Sequence, residues 1–303
     1  GEATKASYHY HQGVHLGHIF FIVNEVGSGS FDGYLEKEKI YPTKGQLSKF
    51  GRQARYKIWA TMEIGLLEDD RKPGASELTY QNLTDKGHIL YNILQKHKAD
   101  MPDDFFSFRT DSKAENSWSM VNNESFFNQF FKDILCSEKS DKKNLLNIFL
   151  GFMAIKHMCK YLFHVSQSKT IMRSDLYKNY FNTPFIQSYF ERYGIVQDSE
   201  EGAKRRLPFL INILEACGIV TFLNKSSFQI NKLPIAPALF TEDIEETSGA
   251  AKYMEIVKKF YDGRTDEIDM DSEEIVQLRS WFGKDFLTEK YFVDEILLLD
   301  GVE

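Results

Sequence analysis

The sequence predicts a mainly α-helical chain with small β-hairpins, an α+β fold class. Two observations predict it. Apolar residues recur at helical spacing in several segments, and two basic helical segments each end at a glycine that is followed by a strand–turn–strand pattern. With 42% apolar and 14% aromatic residues, the 303-residue chain is long enough for two or three domains with ordinary cores.

The first helix-and-hairpin copy lies between about residues 43 and 98. A basic segment runs from Ser48 to Gly65, the glycine ends the helix, and a hairpin with residues 71–74 at its tip follows. Thr84 is the expected N-cap of a closing helix with one apolar face. Ahead of this copy, the apolar run 18–23 predicts a buried strand.

The second copy follows a predicted helix at 170–181. A helix over 203–216 ends near Gly218, and strands at 219–223 and 228–230 enclose a polar turn. Helix, glycine stop, strand, turn and strand is the order of a winged helix. We therefore expect a winged-helix DNA-binding domain over 1–100, a connector with short helices over 101–139, a second winged-helix domain over 140–235 and an acidic helical region over 236–303.

The net charge of −7 is unevenly distributed along the chain. Residues after position 240 include 18 of the 44 acidic and 7 of the 37 basic side chains, so the first 240 residues carry a net charge of +4. A basic surface that binds nucleic acid is therefore compatible with this part of the chain. The acidic C-terminal region is expected to contact a nuclease domain or subunit.

Basic side chains in the two copies are the candidate DNA contacts. They are Lys44, Lys49, Arg52, Arg55, Lys57, Arg71, Lys72, Lys204, Arg205, Arg206 and Lys225. In the first copy, the spacing places three of them on one helical face, opposite an apolar face. In the second copy, three cations at a helix start suit phosphate binding. Two alternatives remain open: a solvated basic face, and pairing of the second set with Asp198, Glu200 and Glu201.

The chain shows no catalytic set and no metal site at the level of sequence. D-x-K triplets at 70–72, 111–113 and 141–143 are expected by chance when 27% of residues are charged. His9, His11, His15 and His18 are close in sequence, but no adjacent cysteine or carboxylate completes a metal site. No cofactor is expected, and Mg²⁺ would be needed only where a nuclease domain is present.

Cysteine usage and hydropathy indicate the compartment. The three cysteines lie in apolar helical segments, which is typical of reduced core residues in a cytoplasmic protein. No apolar run reaches the roughly 18–20 residues needed to cross a bilayer, so no membrane partner is expected.

Two segments carry a resemblance to a known family. They are RYKIWATMEIGLL at 55–67, followed by LTDKG at 83–87, and residues 207–230 with the CGI break at 217–219. This layout resembles the DNA-recognition regions of type IIS restriction and nicking endonucleases, in which tandem winged-helix-like subdomains read an asymmetric site and a separate nuclease domain cuts nearby. The resemblance implies sequence-specific binding of double-stranded DNA. The alternatives are a winged-helix transcription or plasmid-replication regulator and a winged-helix module that binds protein.

Overall fold

The structure, a computed structural model, describes residues 12–31, 49–68, 82–115, 117–135, 158, 161–162, 170–193, 196, 199–231 and 251–288. Contacts along the chain define two compact units that are each discontinuous in sequence. One contains Gly1–Met153 and Tyr193–Cys217, and the other contains Ala154–Arg192 and Gly218–Glu303. The domain boundaries expected at 100, 139 and 235 stay predictions.

The described residues are mainly helical and include one small antiparallel sheet. The elements are α1 (Leu16–Gly27), α2 (Lys49–Glu63), α3 (Asp85–His97), α4 (Glu124–Phe130), β1 (Ile171–Met172), α5 (Arg173–Asn179), α6 (Pro184–Tyr193), α7 (Glu200–Ala216), β2 (Val220–Asn224), β3 (Ser227–Ile230), α8 (Ala251–Tyr261) and α9 (Glu273–Phe282). The expected α+β class is confirmed at this level.

Helix α1 replaces the strand that was expected at residues 18–23, so that prediction was wrong. Ile19, Phe20, Ile22 and Val23 are all fully buried in the helix. A run of apolar residues that is buried on every side has no period, and it is therefore compatible with either a strand or a helix.

The first unit has an aromatic core around Phe20. Its ring packs edge-on against Phe126 and Phe130, at centroid distances of 5.4 and 5.1 Å. Trp118 packs edge-on against Phe126 at 4.6 Å. Edge-to-face contacts of this kind stabilise a core beyond the burial of their area. They join α1 to α4, which lies in the stretch that was expected to be a connector with short helices.

Two glycines end helices where the sequence indicated helix stops. Gly65 follows α2 with φ +87°, and Gly218 follows α7 with φ +75°. Only glycine adopts this left-handed backbone at little cost, so these two predictions are confirmed. After Gly65, Leu67 bridges antiparallel to Leu83, which is the base of the expected first hairpin. The tip of that hairpin lies outside the described residues.

The expected N-cap of α3 and the second hairpin are also present. The Thr84 hydroxyl accepts the Gly87 N–H at 3.0 Å at the start of α3. Strands β2 and β3 pair antiparallel, with Val220 opposite Ile230.

The sheet has the strand order β1–β3–β2. Strand β1, at one edge of the sheet, pairs with β3, and Ile171 lies opposite Phe228. The helix expected from residue 170 therefore begins only at Arg173, because the two preceding residues are strand. This pairing joins residues far apart in sequence, so local periodicity does not reveal it.

The acidic C-terminal region is helical where it is described. Tyr253 on α8 packs edge-on against Trp281 on α9, with ring centroids 4.8 Å apart. Val257 and Phe260 on α8 are also buried. Among the described helices, none combines the length and the apolarity that crossing a bilayer requires.

Gly17 tests how tightly α1 is packed. A β-carbon at this position would overlap the Phe105 carbonyl oxygen and lie 2.6 Å from the Thr110 hydroxyl oxygen. Because the first obstacle is backbone, Gly17→Ala should lower the free energy of unfolding by about 1–3 kcal/mol, a typical cost of overpacking. Urea unfolding followed by circular dichroism measures the change. Asn92→Ala, at an exposed position on α3, is the control. A Gly17→Ala protein as stable as the unmodified chain would contradict this close approach.

Candidate nucleic-acid interface

Helix α7 presents basic side chains at its N-terminal end. The Ser199 hydroxyl caps the helix by accepting the Gly202 N–H at 3.0 Å. Lys204 and Arg205 are exposed, while Ala203 and Leu207 on either side of them are buried. Amphipathic spacing thus fixes the buried face of α7 and leaves these two cations toward solvent.

Acidic residues in the first turn of α7 pair with one of these cations. The Lys204 ammonium lies 3.9 Å from a carboxylate oxygen of both Glu200 and Glu201. All three side chains are about half-exposed or more, so these ion pairs contribute little to stability and are easily exchanged for another anion. Arg206 is half-buried. Arg205 is therefore the candidate on this helix that is most accessible to a partner.

The turn between β2 and β3 is polar and exposed. The Asn224 side-chain oxygen accepts the Ser226 N–H at 2.8 Å, which closes the turn locally. Lys225 lies at its tip and is exposed. The turn therefore offers a fixed backbone with one cation at its end.

Arg173, which the sequence reasoning did not single out, lies beside this turn. Its backbone N–H donates to the Ser226 carbonyl at 2.8 Å. Its guanidinium carbon lies 4.5 Å from the centroid of the Phe222 ring. Position 173 looks like an ordinary helix residue in the sequence, and only the pairing of β1 with β3 places it here.

Two candidates on α2 are turned toward the protein. Arg55 is only 6% exposed and its guanidinium carbon lies 5.0 Å from the Trp59 ring centroid. The Lys57 ammonium donates to the Phe108 carbonyl at 2.6 Å and lies 4.7 Å from the Phe108 ring centroid. Contact of Arg55 or Lys57 with DNA stays a prediction, and it would require each side chain to leave this position.

Burial also changes the ionisation of Lys57. Desolvation lowers the pKa of its ammonium to about 8, and the positive charge of Arg109 lowers it further in the same direction. A lysine in this setting is a core-facing donor to a carbonyl and less suited than an exposed lysine to bind phosphate.

The remaining candidates lie where the structure gives no side-chain position. The backbone of Lys49 and Arg52 lies in α2, but the structure does not describe their side chains. Lys44, Arg71 and Lys72 lie wholly outside them. Their binding of DNA stays a prediction.

A buried polar network links α1 to α7 in the first unit. His15 Nδ1 lies 2.8 Å from Glu115 Oε2, with the two side chains only 8% and 5% exposed. The Asn212 amide on α7 donates to the same carboxylate oxygen at 3.0 Å. Because a buried carboxylate is stabilised only by such donors, this network favours one position of α7 relative to α1.

His18 adds a second buried imidazole to this part of the unit. Its Nδ1 accepts the His15 backbone N–H at 3.0 Å. Burial, with the charges of Lys57 and His15, lowers the pKa of His18 to about 2, so its ring is neutral at ordinary pH. His18 is therefore a core histidine that accepts a backbone hydrogen bond.

Metal binding has no support among the described residues. No group of three or more His, Cys, Asp and Glu side chains in that part of the chain is arranged to hold a metal ion. His9 and His11 lie outside the described residues. The described candidates that remain exposed are Lys204 and Arg205 on α7 in the first unit, and Lys225 on the hairpin of the second unit.

Glu215 makes the stability of the first unit depend on pH. Burial raises the pKa of its carboxyl above 4.5, and the nearby charge of Glu115 raises it further. The stability associated with the neutral carboxyl is present below pH 4.5 and is lost as the pH rises through the folded-state pKa. Glu215→Gln removes this loss, so its free energy of unfolding should exceed that of the unmodified chain at neutral pH, with the gain disappearing toward pH 4.

Urea unfolding at a series of pH values measures this difference. Glu201→Gln, on the same helix with a side chain that is 66% exposed, is the control and should show no such gain. A Glu215→Gln stability difference that does not change with pH would contradict the assigned burial.

Comparison with known proteins finds no relative of this chain. No protein-family model, curated protein or solved structure matches the chain. Its function is therefore inferred from its own residues and their geometry.

Proposed function

We propose that this chain is a cytoplasmic protein that binds double-stranded DNA sequence-specifically, as the recognition part of a restriction endonuclease. The observation that carries the proposal is the order of elements from β1 to β3. A short strand is followed by helices, the last of them runs directly into a two-stranded hairpin, and the strand order is β1–β3–β2. This is the element order of a winged helix, with one additional helix.

The exposed cations support this proposal. In a helix-turn-helix protein, the N-terminal residues of the recognition helix contact base edges in the major groove. Lys204 and Arg205 are exposed in the N-terminal half of α7. Arg205 would supply a bidentate contact to guanine, and Lys204 a contact to phosphate. Lys225 at the hairpin tip would contact the DNA backbone.

DNA cleavage would then be carried out by another part of the enzyme. Cleavage requires clustered carboxylates that hold Mg²⁺, and the described residues offer no such cluster. In this proposal, the nuclease domain or subunit binds the acidic C-terminal region, of which α8 and α9 are described.

One observation favours a second candidate, a winged-helix module that binds protein. Lys204 is engaged by Glu200 and Glu201, and Arg55 and Lys57 are turned inward. The two candidates differ in a measurable property. DNA binding by basic side chains weakens steeply as salt is raised, whereas a protein-binding module has no salt-dependent DNA affinity.

Selection from a random duplex library tests the DNA-binding proposal. The chain should enrich one asymmetric sequence, without cutting it, in the presence and absence of Mg²⁺. Arg205→Ala should then weaken binding to the selected duplex by about 1–3 kcal/mol, as loss of a base contact does, when measured by fluorescence anisotropy at 100 mM salt.

A matched variant controls for the loss of charge. Lys96 is exposed on α3 in the same unit, and Lys96→Ala should leave the affinity for the selected duplex unchanged. If no sequence is enriched and no duplex binds in a salt-dependent manner, the proposed function is wrong. Enrichment of a palindromic sequence by a dimer would instead indicate a transcription or replication regulator.

A further inference from the structure

The Arg173 guanidinium is held in place by an aromatic ring. Its carbon lies 4.5 Å from the Phe222 ring centroid, which is within the range of a cation–π contact. The backbone of the same residue donates to the Ser226 carbonyl at 2.8 Å. Side chain and backbone are therefore both fixed against the β2–β3 hairpin, so the guanidinium is pre-organised.

No carboxylate in the described part of the chain neutralises this guanidinium. Among the described residues, Arg173 forms no ion pair, and its buried Nε–H has no acceptor. Arginine at a purely structural position is normally held by a carboxylate or by carbonyl groups, because leaving a charged donor unpaired is costly. A fixed cation that has no anionic partner among the described residues is what a site for an external anion requires.

The location of Arg173 indicates which anion this would be. Met172 is in register with Ser227, and Arg173 itself pairs with Ser226, so Arg173 lies at the turn end of the sheet. Lys225 is exposed at the same end, in the turn itself. Two cations at one end of a sheet match the spaced negative charges of a nucleic-acid backbone.

We propose that Arg173, held by Phe222 beside the hairpin turn, binds a backbone phosphate of duplex DNA. Stacking occupies the face of the guanidinium, so the terminal N–H groups at its edge would bind the phosphate oxygen, a geometry that lysine does not provide. This inference rests on the proposed function and adds a positioning contact that carries no sequence information, unlike the contact expected for Arg205.

The dependence of DNA binding on salt tests this assignment. Arg173→Gln keeps a side chain of similar length and removes the charge. Fluorescence anisotropy with a selected duplex and an unrelated duplex, at several salt concentrations, should show that affinity falls about tenfold on both at low salt. The slope of log affinity against log salt should decrease in magnitude by about 0.9, the contribution of one phosphate contact.

Two further variants separate this role from a structural one. Arg173→Lys keeps the charge but loses the planar fork, so it should keep the slope while binding more weakly. Lys258→Gln removes a charge from an exposed position on α8 in the same unit and should change neither affinity nor slope. Thermal unfolding of each variant shows whether the fold is retained, and Arg173→Lys remains informative if Arg173→Gln unfolds.

The outcomes distinguish the two proposals. If the unmodified chain binds no duplex, the proposed function fails and this inference fails with it. If the unmodified chain binds duplex DNA but Arg173→Gln keeps the same salt slope, only the phosphate contact is wrong. An unchanged slope together with weaker binding of a poly-glutamate peptide would assign Arg173 to an acidic protein partner.

Discussion

Packing in the described part of the first unit depends on the burial of helix α1. Gly17 lets the backbone of the 105–110 segment approach the helix, and Phe20 lies at the centre of the aromatic core. At its N-terminal end, His15 meets Glu115, whose carboxylate also holds Asn212 of α7. The position of the helix that carries Lys204 and Arg205 thus depends on packing and hydrogen bonding around α1.

Features that depend on a few neighbouring residues could be predicted from the sequence. Gly65 and Gly218 end helices because the backbone turns left-handed there, and Thr84 caps α3 with its own hydroxyl. The second hairpin follows from a polar turn between two apolar runs. Each of these signals lies within about a dozen consecutive residues, so no knowledge of the tertiary structure is needed.

Features that depend on distant residues could not be predicted in this way. The strand character of Ile171 exists only because Phe228 lies opposite it. Charge alone suggested an exposed Lys57, whereas its ammonium is held by a carbonyl 51 residues away. Arg173 was missed for the same reason, since its aromatic partner Phe222 lies 49 residues further along the chain. The basic side chains that are accessible in the structure are therefore not all the ones that the sequence predicted.

The contribution of residues 193–217 to the first unit has a consequence for synthesis on the ribosome. Asn212 lies 97 positions beyond the carboxylate that it contacts, and residues 154–192 of the other unit are synthesised in between. The first unit consequently cannot complete its interior until residues 193–217 have been translated. Until then, the apolar surface that α7 will cover stays open, a condition that favours association with chaperones.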